Sequence, residues 1–317
     1  MYSSKIQAKL KLFSFNKLKI VISVFVFKKK TVHLSTKNLY MKIEISKVAD
    51  LIEDWIIEFR KPQMDGLPYF SDELGDIKPG ELHLVGGHAG NGKSAFLITQ
   101  ALHTANKNQE AVLYFGLNLT KDNFIKRLVS QISQLSYYQI YPYSNLGEHG
   151  KNLIEGTLNE LNSMPLYFSD NKLLNIMELK NTICEFVKTS NIKLVIIDYL
   201  QLIPSINLNN PRDRETLTIL KVLKEITTSL QISILISSQM NSNERTVPLL
   251  NDFDHRTILE QFADKILLVY RPEYYAIQEF DDGSNTDGKA QIIIAHNRFG
   301  KTEKVQVNYC SKRLMFY

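Results

Sequence analysis

The chain has 317 residues, 44% hydrophobic and 22% charged, the balance of a globular protein with a filled core. Its two cysteines, Cys184 and Cys310, stand far apart without metal-ligand spacing, which gives no support to a disulfide framework or a zinc site and fits a reducing cytoplasm. The net charge of +5 is misleading, because residues 1–40 hold nine lysines and no acid; residues 41–317 are therefore net acidic, and nucleic-acid binding can be argued only from local patches.

The basic head contains IVISVFVF, Ile20 to Phe27, an apolar run far short of the roughly 18 residues that cross a bilayer. The KKK that follows and the lack of a small-residue cleavage pattern argue against a signal peptide. For this extension, residues 1–44, the readings are an extra strand, a disordered arm, or a start placed upstream of a natural beginning at Met41. Residues 45–63 are expected to form an amphipathic linker helix, since ISKVADLIEDWIIEFR lines up Val48, Leu51, Ile52, Trp55 and Phe59 with acids opposite. The stretch KPQMDGLPYFSDELGDIKPG, rich in Pro, Gly and Asp, reads as loop.

From Glu81 onward, apolar runs begin at Glu81, Ala111, Pro165, Lys193, Ile232 and Lys265, with a final pair at Gln291 and Lys304. Helical patterns fill residues 93–107, 121–135, 174–189 and 212–229. Near-continuous Val/Ile/Leu strands alternating with helices predict an α/β fold with a mainly parallel sheet buried on both faces. The final pair has no room for a helix between its members, which predicts antiparallel strands at the C-terminal edge.

GHAGNGKS, Gly87 to Ser94, matches G-x-x-x-x-G-K-[ST] between a predicted strand and a predicted helix. Glycines let backbone N–H groups turn toward phosphate oxygens, and the helix N-terminus adds partial positive charge. The nucleotide-binding set is therefore Gly87, Gly90, Asn91, Gly92, Lys93 and Ser94, with Lys93 reaching the outer phosphates of ATP and the Ser94 hydroxyl ligating Mg²⁺. A second Mg²⁺ carboxylate is expected at a strand end, and LVIIDYLQL supplies Asp198.

These residues in this order resemble the C-terminal motor domain of DnaB-type replicative DNA helicases, within the RecA-like ATPases. The resemblance runs from about residue 64 to 317. It rests on KPGELHLVGGHAGNGKSAF, PLYFSDN, IDYLQLI (Ile197 to Ile203), ISSQMN (Ile236 to Asn241), LEQFADKILLVYR (Leu259 to Arg271) and IIIAHNRFG (Ile292 to Gly300). It implies a RecA-like three-layer sandwich, a hexameric ring with nucleotide between subunits and single-stranded DNA through its centre, replication partners, and no membrane association. It also implies that Gln239 senses the terminal phosphate, that Arg298 reaches the neighbouring subunit's nucleotide, and that Trp55 anchors the linker helix on that neighbour.

The chain departs from the family pattern at three positions. Asn118 stands where the family has a catalytic glutamate, and an amide is no general base at neutral pH, although it can orient a water. His296 replaces a lysine two residues before Arg298. Asp254 stands where a DNA-gripping arginine is expected, leaving Arg212, Arg214, Arg245 and Arg256 as candidate DNA contacts. Three functions stay open: an ATP-driven helicase or translocase with slowed turnover, an ATP-binding but hydrolysis-deficient regulatory or assembly subunit, and a RecA-like recombination ATPase.

Overall fold

The computed structural model describes residues 12–15, 18–26, 30–36, 39–45, 66–140, 145–172, 174–204, 211–241 and 246–317. They fall into two units, Met1–Met64 and Asp65–Tyr317. Trp55, Arg245 and all of the expected linker helix beyond residue 45 lie outside the described residues. In the first unit, β1 (Leu12–Phe15), β2 (Leu18–Val26), β3 (Lys30–Thr36) and β4 (Leu39–Ile45) form an antiparallel meander in sequence order. Val24 lies opposite Val32, and Val32 opposite Ile43; β-branched residues of this kind suit a pleated surface.

The second unit begins with a small ribbon, β5 (Leu67–Pro68) on β6 (Asp76–Ile77). A large sheet follows, built from β7 (Leu82–Gly86), β8 (Ala111–Gly116), β9 (Leu166–Ser169), β10 (Ile192–Asp198), β11 (Ser233–Ser237) and β12 (Lys265–Tyr270). These strands are parallel throughout. A hairpin of β13 (Lys289–Asn297) and β14 (Glu303–Cys310), with β15 (Met315–Phe316), adds the antiparallel edge. Among the described residues the order is β15-β14-β13-β12-β7-β11-β10-β8-β9. Both sequence-derived expectations, the parallel body and the antiparallel C-terminal edge, hold.

Parallel strands need crossovers, and the crossovers here cover both faces. On one face lie α1 (Lys93–Leu102), prolonged by a π turn at His103–Lys107, and α2 (Lys121–Ser133). Next in the chain comes α3 (Glu148–Ser163), which packs on α2 through Val129, Ile140 and Ile154. On the other face lie α4 (Ile176–Ser190), α5 (Arg212–Leu230) and α6 (Arg256–Phe262). Side-chain alternation along β10 shows why both layers are needed: Leu194 and Ile196 join Phe96 and Phe124 on one side, while Val195 and Ile197 join Ile183 and Leu223 on the other. The result is a three-layer sandwich.

Phe96 on α1 is 0% exposed and meets Phe70 edge-on at 5.2 Å and Phe316 at 6.0 Å between ring centroids. Phe96→Ala should cost about 3–5 kcal/mol, seen as a lower urea midpoint at unchanged slope. Phe299→Ala, at a residue 68% exposed, should stay within about 0.5 kcal/mol of the native chain.

Candidate nucleotide-binding site

All the parallel strands end at the same edge of the sheet, and the loop between β7 and α1 leaves from that edge. Gly90 (φ 82°) and Gly92 (φ 99°) take left-handed conformations that a side chain would strain. At Gly90 a Cβ would also lie 2.4 Å from the Tyr274 hydroxyl oxygen. Lys93 opens α1 and turns its ammonium back onto the loop, donating to the carbonyl oxygens of Gly87 at 2.6 Å and His88 at 3.0 Å. Burial pushes its pKa down to about 8, opposed by the negative charge of Asp198. A largely buried ammonium at the start of a helix, held by two carbonyl dipoles, is a site for an anion of higher charge than a carbonyl dipole supplies.

Asp198 ends β10 and is 3% exposed. Its strand is not the immediate neighbour of β7, because β11 lies between them; Ser237 at the end of β11 bridges the gap by donating to Asp198 Oδ1 at 2.6 Å. Tyr114 donates to Asp198 Oδ2 at 3.2 Å. Burial, then the Asp198 charge, pushes the Tyr114 phenol well up, so it stays a donor. Asn118 sits exposed on the turn after β8, closed by the Leu119 N–H donating to the Gly116 carbonyl at 3.0 Å. Gly116 is the partner of Asp198 in the sheet, so strand register brings Asn118 to the same edge. Gln239 follows β11 and is exposed, its backbone N–H donating to Gln201 Oε1 at 3.1 Å.

The segment after β12 supports the loop from beneath. Asn91 is fully buried, with its amide donating to the Tyr275 hydroxyl at 2.7 Å and accepting from the Arg271 N–H at 3.0 Å. Its side chain thus holds the loop in shape. His88 lies between the Tyr275 hydroxyl and Asp252, each at 3.3 Å. The Arg271 guanidinium donates to the Gly90 carbonyl at 3.3 Å and lies 3.8 Å from the centre of the Tyr309 ring, a cation–π contact. Arg127 on α2 acts electrostatically on both Tyr114 and Tyr309, and its buried Nε lacks a partner. Sequence reasoning assigned no role to Arg127, Arg271, Tyr275 or Tyr309. Arg271 and Tyr275 belong to one short segment after β12, whereas Arg127 and Tyr309 come from α2 and β14, and no local pattern joins all four.

Arg298 lies just past β13, which runs antiparallel to β12, and so sits at the sheet edge opposite the phosphate loop. Its guanidinium donates to the carbonyls of Gln261 at 2.7 Å and Ala263 at 3.4 Å, at the C-terminal end of α6, and its Nε lies 3.4 Å from Asp264 Oδ1. Asp264 in turn accepts from Lys224 at 2.5 Å and from the Leu82 N–H at 2.8 Å. The candidate DNA arginines that the structure describes stand on two helices, α5 and α6, whose starts are joined by one pair of side chains. His255 Nδ1 lies 2.5 Å from Asp213 Oδ1, which draws Arg212 and Arg214 on the first turn of α5 toward Arg256 on α6. Arg214 is exposed, whereas Arg256 is engaged by both Glu260 oxygens, at 3.1 and 3.2 Å, and by Asn251. Asp254 accepts from Asn241 at 2.7 Å.

Residues 65–317 match the DnaB-like helicase C terminal domain. The chain belongs to this family. The replicative DNA helicase DnaB of Mycoplasma genitalium is 29% identical over 248 residues, covering 75% of this chain and 52% of that relative. A probable replicative DNA helicase of Trieres chinensis is 25% identical over 302 residues, covering 89% of this chain and 65% of the relative. The chain thus spans about half the length of its DnaB relatives. Two solved structures share the fold at a TM-score of 0.74: a DnaB-like replicative helicase described with its interactions with primase (22% identity, 86% of this chain, 66% of the other) and a separately solved ATPase domain (23% identity, 85% and 96%). Among the described residues no helix is long and apolar enough to cross a membrane.

The DnaB-family loop carries a stability cost that can be measured. Since the Lys93 pKa lies at about 8 in the folded chain against an ordinary 10.5, its charged form is disfavoured by folding. The native chain therefore gains stability as pH rises from about 8 to about 10.5, where the unfolded chain binds the extra proton. Lys93→Met should stabilise the chain at neutral pH by up to about 3 kcal/mol, read as a higher urea midpoint, and the advantage should shrink as the pH approaches about 10. An advantage that is absent at neutral pH, or independent of pH, contradicts the assignment.

Proposed function

We propose that this chain is the motor of an ATP-driven helicase that translocates on single-stranded DNA during replication, working in the cytoplasm as a hexameric ring with other replication proteins. The observation that carries this reading is the placement of Lys93, which opens α1 after the glycine loop, and the buried Asp198, which ends a strand two places away, at the same edge of the sheet. The residues fit a magnesium–nucleotide: a Cβ at Gly90 would fill the loop's turn, Lys93 supplies a desolvated cation, and Ser94 and Asp198 supply the oxygens that would hold Mg²⁺. When bound, that ion neutralises charge on the phosphates. Backbone N–H groups of Gly87, Gly90, Asn91 and Gly92 orient the phosphates, Lys93 pairs with the outer ones, and the amide of Gln239 reads the terminal one. Arg298, at the far sheet edge, serves the nucleotide of the adjacent subunit, where a guanidinium offsets charge developing in phosphoryl transfer. Arg212, Arg214, Arg256 and Arg245 contribute contacts to the DNA backbone, and Trp55 anchors the linker on the next subunit.

Asn118 favours a second reading, an ATP-binding subunit that has lost turnover and regulates or joins active rings. Family membership sets the RecA-like recombination ATPase aside. Steady-state hydrolysis with and without single-stranded DNA separates the two that remain. On the first reading the native chain turns over, DNA stimulates it, and Asn118→Glu raises the rate by about 10²-fold or more. On the second, only Asn118→Glu turns over. Under both, Lys93→Ala abolishes magnesium-dependent ATP affinity; affinity that survives it defeats the nucleotide site itself.

A further inference from the structure

IDYLQLI is the most distinctive stretch of the sequence, yet only Asp198 has a part in the chemistry above. Its remaining residues form a short 3-10 turn, Leu200–Leu202. Leu200 and Ile203 are 3% and 1% exposed, and the turn is closed by the Leu202 N–H on the Tyr199 carbonyl at 3.1 Å and the Ile203 N–H on the Leu200 carbonyl at 3.2 Å. The apolar residues thus fix the turn, and Gln201 projects from it across the end of β11. Its Oε1 accepts from the Gln239 N–H at 3.1 Å, and its Nε2 donates to Ser238 Oγ at 2.8 Å and to the Gln239 carbonyl at 3.3 Å. A primary amide offers an acceptor and a two-proton donor on one plane, so a single side chain clasps both polar groups of the Gln239 backbone.

The other side of Gln201 leads to α5. Its carbonyl accepts from the Arg212 guanidinium at 2.6 Å, and Arg212 is braced by Glu215 at 3.1 Å. The next residue, Asp213, pairs with His255 at 2.5 Å, at the start of α6 beside Arg256. One residue therefore joins the strand end that carries Gln239 to the helix start that carries the arginine cluster. We infer that Gln201 is a positioning residue that couples these two places, so that occupation of the nucleotide site changes the affinity for single-stranded DNA through its side-chain bonds to Gln239 and the Arg212 bond to its carbonyl. The inference rests on the roles proposed above for Gln239 and the arginines, and it adds the link between them.

The test is a binding linkage and needs no hydrolysis. The full chain is titrated against a fluorescently labelled oligothymidylate, with and without magnesium and a non-hydrolysable ATP analogue. The native chain should show affinities that differ by about 5- to 150-fold between the two conditions. Gln201→Leu should bring that ratio within about twofold of one, while the analogue alone still binds. Arg212→Met, at an exposed helix start, breaks the same link from its other side; it should also collapse the ratio, and the double variant should collapse it no further. A native ratio retained in Gln201→Leu, or losses that add in the double variant, overturns the coupling. A ratio of one in the native chain overturns instead the proposed pairing of nucleotide and DNA on which it rests. Should Gln201→Leu fail to fold, Arg212→Met alone decides, and a native ratio in that variant overturns the inference.

Discussion

A parallel sheet buried on both faces is the constraint from which the rest of this molecule follows. Strands that run the same way cannot be joined by tight turns, so each must be followed by a crossover long enough to pack on the sheet. With α1 and α2 on one face and α4, α5 and α6 on the other, β7, β8 and β11 are buried at every position, and their interiors are mostly apolar; His83 on β7 is buried with hydrogen bonds to Tyr69 and Glu81. Polar chemistry is thereby pushed to the strand ends. The C-terminal ends of the parallel strands lie at one edge, which brings together the glycine loop, the turn bearing Asn118, Asp198, Ser237 and Gln239, although over 150 residues of chain separate the first from the last.

Electrostatics at that edge opposes folding and favours binding. The Lys93 ammonium is held by two carbonyl oxygens and by the field of Asp198, yet burial still lowers its pKa. A site that costs stability without its ligand is expected where function sets the residue. Asp198 is restrained rather than free, by Ser237 and Tyr114, one on each carboxylate oxygen. At the opposite edge Asp264 plays a comparable part, gathering Lys224, Arg298 and the start of β7. Edges of the sheet thus carry the charges that its faces exclude.

Much of the fold was legible because its signals are local. The Val/Ile/Leu runs, the helical patterns between them and the phosphate-loop spacing each span fewer than twenty residues, and each appears in the structure where the pattern placed it. The helix α3 was not legible: it carries Gly150 and Gly156, and only Ile154 and Thr157 are buried, so it writes too thin an apolar stripe to read. The short α6 also escaped notice, as seven residues give barely two turns. The strands β1 to β4 of the first unit lie in a segment whose composition alone left open an extra strand, a disordered arm and a misplaced start.

The sequence by itself determined the α/β alternation, the glycine loop with Lys93 and Ser94, and the family, because these depend on spacing within short windows. Only the tertiary structure decided that the Asn91 amide turns inward to Tyr275 and Arg271, that β11 stands between the loop and Asp198, and that Gln201 bridges Gln239 and Arg212. The physical reason is strand order. Which ends become neighbours is set by how distant crossovers pack, and a hydrogen bond between residues far apart in the chain leaves no periodic trace in either segment.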